Sequence, residues 1–309
     1  MPGPPPLIVV AGATATGKTE LGIRLGEALI GEGRPATVIS ADSRQVYRGL
    51  DIGTAKVTAA DRARVPHAGI DLVDPDEPFA LYEYVAHARS VLEGVAARDG
   101  VALLVGGTGL YLRAVARGLD LGGLPNDPAI RARLEREFAV EGLWPLAARL
   151  RAVAPTLAAE VHLANPRRVI RALELAELRG DGPRPRPAGY DGNSIWIGLG
   201  VERPEHDRWI AARARAQFDA GLIGEAVALR DRYDPDLPAF SAIGYREAWA
   251  VADGELTLEA AIEQDIHRNI AFAKRQRTWF RAEPDVTWLD ATADDLTERA
   301  LALARTVLE

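Results

Sequence analysis

The sequence predicts an α/β fold in which helices flank a parallel sheet, with a smaller all-helical insert. In the first 120 residues, short apolar runs alternate with stretches of helical spacing. After Tyr111 the chain changes to long stretches rich in Ala, Leu, Arg and Glu, and one more strand-like run follows a Gly- and Pro-rich linker at residues 180–192. Alternating strands and helices are typical of parallel sheets, because each parallel pair needs a helical crossover.

The predicted elements follow in chain order. Residues 7–11 are apolar and lie between prolines and a glycine, which favours a buried strand. Residues 19–32 have helical spacing, with Leu21, Leu25 and Leu29 on one face. Further strands are predicted over residues 37–41, 101–105 and 194–199, and helices over residues 82–98 and beyond residue 204. We therefore divide the chain into core residues 1–120, a helical insert 121–190, and a return to the core with C-terminal helices over 191–309.

The composition narrows the classes of protein. The chain has 309 residues, 48% hydrophobic and 26% charged, as ordinary globular proteins have. It has no cysteine, which excludes disulfides, thiolate metal sites and cysteine nucleophiles. The apolar run at residues 7–11 is too short for a signal peptide or a membrane span, so we expect a cytoplasmic protein without membrane association. The net charge of −7 argues against a surface that coats nucleic acid generally, so RNA binding would need local basic segments.

Residues 12–19 read Gly-Ala-Thr-Ala-Thr-Gly-Lys-Thr and match the pattern G-x-x-x-x-G-K-[ST] between a predicted strand and helix. In such a loop the glycines let backbone N–H groups converge on phosphate oxygens, while Lys18 adds a positive charge. Thr19 is placed to ligate Mg²⁺, the expected cofactor. We name residues 12–19 the phosphate loop and expect a P-loop NTPase-like fold. The residues expected to bind a di- or triphosphate are Gly12, Ala13, Thr14, Ala15, Thr16, Gly17, Lys18 and Thr19.

The phosphate loop alone does not identify the reaction, because kinases, ATPases and GTPases share it. A hydrolytic motor usually has an acidic residue at the end of a strand, but the strand at 101–105 is followed by Gly106, Gly107 and Thr108. Asp42 follows another strand, and parallel sheets bind ligands beyond the carboxyl ends of their strands. Its role could be a metal ligand or a general base, or it could only cap the following turn.

Two basic segments contrast with the acidic chain. Cations next to Trp279 and Phe280 suit a phosphate backbone with unstacked bases, although each segment could also be a solvated helix face. The first segment has Arg167, Arg168 and Arg171, and the second has Arg268, Lys274, Arg275, Arg277 and Arg281.

Six segments together resemble the tRNA dimethylallyltransferase family, also called tRNA isopentenyltransferases. They occur in the family's order and extend over nearly the whole chain. The segment at residues 42–56, Asp-Ser-Arg-Gln-Val-Tyr-Arg-Gly-Leu-Asp-Ile-Gly-Thr-Ala-Lys, is the most specific, because generic phosphate-loop kinases have nothing like it. The resembling segments are residues 12–19, 42–56, 106–111, 165–174, 244–247 and 273–281.

The resemblance implies transfer of a dimethylallyl group from dimethylallyl diphosphate to N6 of adenosine 37, next to the anticodon of tRNA. By this resemblance Asp42 is the general base, Thr108 contacts the adenosine or its phosphate, and Arg131 adds a cation to the diphosphate. The implied partners are the anticodon stem-loop of tRNA and the diphosphate, and we expect a monomer. The residues implied to bind tRNA are Asp42, Ser43, Arg44, Gln45, Arg167, Arg168, Val169, Ile170, Arg171, Lys274, Arg275, Gln276 and Arg277.

Three other functions stay open on the residues alone. In a small-molecule or nucleotide kinase, ATP would occupy the phosphate loop and Asp42 would orient a hydroxyl acceptor. A prenyltransferase acting on free AMP or ADP would leave the arginines of the insert unexplained. A nucleotide-regulated RNA-binding module without catalysis would need the same loop and the same basic segments.

Overall fold

The computed structural model describes residues 3–119, 126–183 and 187–308. The chain divides into two compact units, which we call the core unit (Met1–Arg117 with Gly189–Glu309) and the helical unit (Gly118–Ala188). The predicted boundary between residues 120 and 121 lies outside the described residues. The core unit resumes at Gly189, where the sequence analysis placed its return at residue 191.

The core unit contains a six-stranded parallel sheet with the strand order β3-β2-β4-β1-β5-β6. The predicted α/β class is therefore confirmed. Two strands, β3 and β6, were not expected from the sequence. The strands are β1 (Leu7–Gly12), β2 (Ala36–Ser40), β3 (His67–Ala68), β4 (Val101–Gly106), β5 (Ser194–Gly200) and β6 (Val286–Asp290).

Helices cover both faces of this sheet. α1 and α13 contact the strands on one side, and α3, α4 and α12 contact them on the other, as parallel sheets require. No helix among the described residues is long and apolar enough to cross a membrane. The helices of the core unit are α1 (Lys18–Gly31), α2 (Ala59–Arg64), α3 (Leu81–Ala96), α4 (Gly109–Ala116), α9 (Arg203–Asp219), α10 (Leu222–Arg230), α11 (Tyr245–Ala252), α12 (Leu258–Arg281) and α13 (Leu296–Arg305), with a 3-10 helix at Pro238–Ser241.

The central strands are apolar throughout because both of their faces are covered. All six residues of β1 are buried, as are all of β2 and β4. Ile8 and Val10 pack with the leucines of α1 in one apolar core, and successive residues of a strand point to opposite faces. Because β4 pairs in parallel with both β1 and β2, the carboxyl ends of these three strands lie side by side. The loops that follow the strands are therefore next to one another.

The helical unit has its own apolar core. Two of its helices begin with proline in the first turn after a capping side chain: Asp127 Oδ1 accepts from Ala129 N at 2.7 Å, and Asn165 Oδ1 accepts from Arg168 N at 3.2 Å. Its helices are α5 (Pro128–Glu141), α6 (Leu143–Val153), α7 (Pro155–Glu160) and α8 (Pro166–Arg179). The fully buried side chains of its core include Leu134, Leu146, Leu150, Leu157 and Leu173.

A buried carboxylate links α5 to α8. Glu174 is fully buried, and its oxygens accept from Asp127 N at 2.9 Å and from Arg131 Nη2 at 2.7 Å, while Arg171 Nη1 lies 2.8 Å away. Burial acts to raise the pKa of Glu174, but these hydrogen bonds and the arginine charges outweigh it and lower the pKa. The carboxylate therefore stabilises the folded unit only while it is ionised.

We expect Glu174→Gln to destabilise the helical unit by about 2 kcal/mol, less than the ~3–5 kcal/mol typical of a fully buried pair, because both arginines are partly exposed. In the native chain, protection of α5 and α8 should persist above about pH 4.3, the usual glutamate pKa, and decrease as the pH falls below it. Amide hydrogen exchange of the full chain measures both effects. Equal exchange in α5 and α8 of the variant and the native chain would contradict this role of Glu174.

Candidate functional site

The phosphate loop connects β1 to α1 through two left-handed residues. Ala15 has φ 59° and Gly17 has φ 81°, left-handed conformations that turn the backbone between the strand and the helix. Thr16 Oγ1 donates to Ala13 O at 2.9 Å, and Lys18 Nζ donates to the same oxygen at 2.6 Å. The loop therefore has the compact turn that its sequence pattern predicts.

The ammonium group of Lys18 lies in an environment that disfavours its charge. Burial is the largest cause, and the nearby guanidinium of Arg213 adds to it, while Asp42 acts in the opposite direction. Together they lower the pKa of Lys18 to about 7. Two cations close to one loop favour a polyanionic ligand, whose charge would restore the usual pKa of the lysine.

Side chains from α9 and α12 hold Thr14 in the middle of the loop. Thr14 N donates to Gln276 Oε1 at 2.8 Å, Thr14 O accepts from His206 Nε2 at 2.8 Å, and Thr14 Oγ1 accepts from Arg213 Nη1 at 2.7 Å. His206 Nδ1 lies 2.6 Å from Arg277 Nη1, which can only donate. The proton of neutral His206 is therefore on Nε2, and burial lowers the pKa of this histidine.

Asp42 and Thr108 follow neighbouring strands and meet at the edge of the sheet. Asp42 Oδ1 accepts from Arg44 N at 2.8 Å, and Oδ2 has no hydrogen bond within the part of the chain that the structure describes. Thr108 Oγ1 accepts from Ser43 N at 3.0 Å, and Thr108 N donates to Ala41 O at 3.1 Å. One carboxylate oxygen is thus left to act on a ligand, next to a fixed threonine hydroxyl.

One cavity joins these features. The residues that line it include Thr14, Lys18, Thr19, Asp42, Gly106, Gly107, Arg213 and Gln276. It places an acidic side chain, two cationic side chains and the phosphate loop around the same volume.

Magnesium fits this donor set. Thr19 and Asp42 supply a hydroxyl and a carboxylate to the cavity, and Mg²⁺ usually takes only one or two protein ligands beside phosphate oxygens and water. Across residues 3–119, 126–183 and 187–308, no three His, Asp or Glu side chains form a metal cluster. The residues therefore suit a metal that arrives with a phosphate ligand rather than one held by the protein alone.

A partly buried carboxylate anchors part of the segment at residues 42–56. Glu225 accepts from three consecutive backbone N–H groups, those of Asp51 at 3.2 Å, Ile52 at 2.7 Å and Gly53 at 3.1 Å, and from Tyr245 Oη at 2.7 Å. A Cβ added at Gly53 would lie 2.5 Å from the Tyr245 ring, so only glycine fits there.

The last residue of the same segment is a buried cation. Lys56 Nζ donates to Tyr47 O at 2.8 Å and contacts Asp51 Oδ1 and Asp71 Oδ1, both at 2.6 Å. Its side chain is 1% exposed, so these contacts satisfy the charge inside the protein. Much of the segment at residues 42–56, which carries the family resemblance most specifically, is therefore held by contacts within the protein.

Four residues that the resemblance assigned to tRNA have buried side chains. Val169 and Ile170 lie in the apolar core of the helical unit. Gln45 accepts from Ser40 Oγ at 2.9 Å and donates to Thr54 O at 3.2 Å. Gln276 is 7% exposed and bonded at both ends of its amide. The side chains of Val169 and Ile170 are therefore not offered to RNA, whereas Gln45 and Gln276 line the cavity of Asp42, and their contact with tRNA stays a prediction.

The cations assigned to tRNA divide into exposed and paired ones. Arg167 and Arg168 are exposed at the start of α8 and form no ion pair with any described residue. Arg44 donates to Pro238 O at 2.7 Å. Arg171 and Arg131 both contact Glu174 in the helical unit, so the predicted contact of Arg131 with a diphosphate stays a prediction.

On α12, Lys274 and Arg275 are exposed. Arg277 instead lines a second cavity, of about 320 Å³, together with Arg281, Trp288 and the Ala13 side of the phosphate loop. The basic segment of α12 therefore faces both the outside and the loop.

Sequence reasoning missed two residues of the site. Arg213 lies within a uniform helical stretch of α9, where no local motif distinguishes it from its neighbours. His67 belongs to the two-residue strand β3; its Nδ1 lies 2.7 Å from Val65 O, and its buried Nε2 lines the cavity without a partner among the described residues. Burial lowers the pKa of His67. Only the pairing of β3 with β2, at His67 opposite Val38, reveals this position.

Comparison with known proteins places the chain among relatives of full length. The family model described as IPP transferase matches residues 45–283. A tRNA dimethylallyltransferase of Roseiflexus sp. (strain RS-1) is 45% identical over 305 residues, which are 97% of this chain and 98% of that protein. A tRNA dimethylallyltransferase of Thiobacillus denitrificans is 42% identical, over 97% of this chain and 96% of the relative.

Solved structures similar to this chain have names related to those of these relatives. The tRNA isopentenylpyrophosphate transferase of Bacillus halodurans has a TM-score of 0.70 and 38% identity, and the match covers 97% of this chain and 95% of that one. A eukaryotic dimethylallyltransferase acting on tRNA has a TM-score of 0.79, over 97% of this chain and 79% of that one. Its identity of 22% shows the shared fold alone. On the family match and the full-length identities, this chain belongs to the IPP transferase family.

Proposed function

We propose that this enzyme transfers the dimethylallyl group of dimethylallyl diphosphate to N6 of adenosine 37 in tRNA. Its curated relatives carry the name tRNA dimethylallyltransferase, which supports a prenyl donor and a tRNA acceptor. The observation that carries the proposal is that the open oxygen of Asp42, the two cations and the phosphate loop surround one cavity. A base beside a diphosphate site is the arrangement that alkylation of a nucleobase by an allylic diphosphate needs.

The phosphate loop side of the cavity would receive the leaving group. As the carbon–oxygen bond breaks, the allylic fragment becomes cationic and the diphosphate gains negative charge. Lys18, Arg213 and the N–H groups of the loop would stabilise that charge, as preorganised donors do in other transferases. Thr19 would hold Mg²⁺, which supplies further positive charge to the diphosphate when bound.

The Asp42 side of the cavity would activate the acceptor. The lone pair of the exocyclic amine is delocalised into the adenine ring, so the amine is a weak nucleophile until it loses a proton. Oδ2 of Asp42 would take that proton as the bond from N6 to carbon forms, and Arg44 N would hold the other carboxylate oxygen in place. The products are diphosphate and N6-dimethylallyladenosine in tRNA.

The exposed cations would hold the RNA. Arg167 and Arg168 on the helical unit, with Lys274 and Arg275 on α12, offer four guanidinium or ammonium groups to phosphates. The target adenine lies within the anticodon loop and must leave its stack to reach Asp42, as bases do in other nucleobase-modifying enzymes.

The direct test incubates the protein with dimethylallyl diphosphate, Mg²⁺ and unmodified tRNA that has adenosine at position 37, followed by nucleoside analysis of the digest. We expect N6-dimethylallyladenosine, and none from the same tRNA with guanosine 37. A digest without the prenylated nucleoside would reject the proposal, and phosphorylation of a small acceptor by ATP would favour the kinase alternative.

The first prediction concerns the base. We expect Asp42→Asn to lower kcat by about 10²–10⁴, because the amide keeps the shape of the carboxylate but cannot accept the proton from N6. The affinity for tRNA should stay within about threefold, since the loss of one general base affects chemistry rather than binding. Single-turnover kinetics and filter binding measure the two effects. Asp76→Asn, at an exposed position away from the cavity, is the matched control, and an Asp42→Asn enzyme of normal turnover would exclude the base.

The second prediction uses the pKa of Lys18, which is about 7 in the free protein. A bound diphosphate favours the ammonium form, so binding near neutral pH takes up a proton, and the affinity should decrease as the pH rises above 7. Calorimetry of inorganic diphosphate with Mg²⁺ in buffers of different ionisation enthalpy measures the uptake. In Lys18→Arg, whose side chain stays charged, the part of the uptake due to the protein should disappear. Identical proton uptake by both proteins would show that the diphosphate alone titrates.

The third prediction concerns the grip on RNA. Each of Arg167→Ala and Arg168→Ala should reduce the slope of log affinity for tRNA against log salt by about 0.7–0.9, because one phosphate contact is lost. Arg151→Ala, an exposed arginine of α6 in the same unit, should leave the slope unchanged. Affinities measured over a range of KCl concentrations decide the matter. If the slopes match that of the native protein, neither arginine contacts a phosphate of the tRNA.

A further inference from the structure

A single side-chain amide connects the two loops of the proposed active site. Gln276 Oε1 accepts from Thr14 N at 2.8 Å, and Gln276 Nε2 donates to Gly107 O at 2.9 Å. Thr14 belongs to the phosphate loop, and Gly107 directly precedes Thr108. Because a backbone N–H only donates and a carbonyl only accepts, the two partners fix the orientation of the amide.

The backbone at Gly107 and Gly109 lies directly against side chains of α12. A Cβ added at Gly107 would lie 2.5 Å from Gln276 Nε2, and one added at Gly109 would lie 2.3 Å from Cε3 of Trp279. One helical turn of α12 therefore contacts the backbone on both sides of Thr108. Gly107 and Gly109 allow this close approach because they have no Cβ.

The end of α12 is itself fixed, so Gln276 lies on a rigid support. Glu283, just beyond the helix, is 1% exposed in its side chain and accepts from Arg113 Nη2 at 2.6 Å and from Arg117 Nε at 3.1 Å. Arg113 also lies over the ring of Trp279, 4.4 Å from its centre. The buried carboxylate thereby ties the end of α12 to Arg113 and Arg117, at the end of α4.

The bond from Thr14 N to Gln276 has a chemical consequence for the phosphate loop. The N–H of Thr14 is already bonded inside the protein, so it is not among the donors offered to a diphosphate. The remaining donors act from a loop that this amide joins to Gly107, beyond the point where Ala11 and Gly106 pair in the sheet. Thr108 Oγ1 accepts from Ser43 N, next to Asp42, so the amide also connects the phosphate loop to the loop beside the proposed base.

We propose that Gln276 is a positioning residue for prenyl transfer, which holds the phosphate loop and the loop of Thr108 at the spacing that the reaction needs. This inference rests on the proposed function, because that function is what requires a diphosphate on one loop and an adenine on the other. A displacement of reacting groups by about 1 Å can lower turnover on the order of 100-fold, so a single bridging amide has a large effect.

The test compares three variants of the full chain. Gln276→Met keeps the size of the side chain and removes both hydrogen bonds. Gln276→Glu restores both only while the introduced carboxyl is protonated, since its hydroxyl then donates to Gly107 O and its carbonyl accepts from Thr14 N. Thr278→Ala changes an exposed position on the same helix and serves as the control. Steady-state kinetics with each substrate varied, between pH 5.5 and 8.5, and thermal unfolding are measured for all.

We expect Gln276→Met to lower kcat on the order of 100-fold, while the KM for tRNA changes by less than about threefold. For Gln276→Glu, the ratio of its kcat to the native kcat should decrease at least about tenfold from pH 5.5 to 8.5, because burial raises the pKa of a carboxyl and ionisation removes the donor to Gly107. Measuring kcat at saturating diphosphate separates this effect from repulsion of the donor substrate. The Thr278→Ala ratio should be independent of pH.

A folded Gln276→Met enzyme with kcat within twofold of native would overturn the inference, and so would a raised KM for tRNA at unchanged kcat, which would mark Gln276 as an RNA contact. If Gln276→Met does not fold, a Gln276→Glu ratio that stays within twofold of one from pH 5.5 to 8.5 overturns it equally. If the native chain makes no prenyladenosine, the proposed function fails separately. The inference is then judged by calorimetry with inorganic diphosphate and Mg²⁺, where Gln276→Met should bind at least about fivefold more weakly and unchanged affinity rejects it.

Discussion

The hydrogen bonds to Thr14 are the constraint on which the rest of the site depends. A phosphate loop works through backbone groups, and those groups keep their directions only if something holds the backbone. Here three side chains from α9 and α12 bind the N–H, the carbonyl and the hydroxyl of one residue in the middle of the loop. The loop is therefore not an independent module attached to a strand and a helix. Its shape is determined by helices that follow it by about two hundred residues in the chain.

The sequence predicted the fold well where local patterns exist. The apolar runs at β1, β2, β4 and β5 identified four of the six strands, because strands covered on both faces have a continuous apolar signal. It missed β3, which has two residues, and β6, an edge strand with exposed positions, because neither has such a signal. Edge and very short strands are defined by pairing, which no local pattern encodes.

The same distinction explains the site. The phosphate loop, Asp42 and Thr108 could be proposed from the sequence because each lies in a compact motif or at the end of a strand. Arg213, His67 and the role of Gln276 could not, since each acts through contacts with residues far away in the chain. The resemblance to a family assigned Gln276 to RNA because it stands in a basic segment. The structure shows that a segment can have cations on its outer side and a structural amide on its inner side within one helical turn.

The family assignment also gives the charge distribution of the chain a clearer meaning. An acidic protein that binds RNA must restrict its positive charge to a few places, and the described cations without an acidic partner include Arg167 and Arg168 at the start of α8. Four other described arginines of the helical unit, Arg131, Arg133, Arg149 and Arg171, are paired with glutamates. Pairing confines the attraction for phosphate to a small part of the surface.

Glu225 holds the turn at residues 51–53 in its folded shape without a ligand. Three successive backbone N–H groups converge on its carboxylate, much as such groups converge on a bound phosphate, so the protein supplies its own anion to that turn. The turn therefore reaches its final shape when the chain folds and needs no ligand to complete it. The conformational entropy of ordering this segment is lost once, at folding, and substrate binding energy is left for the atoms that react.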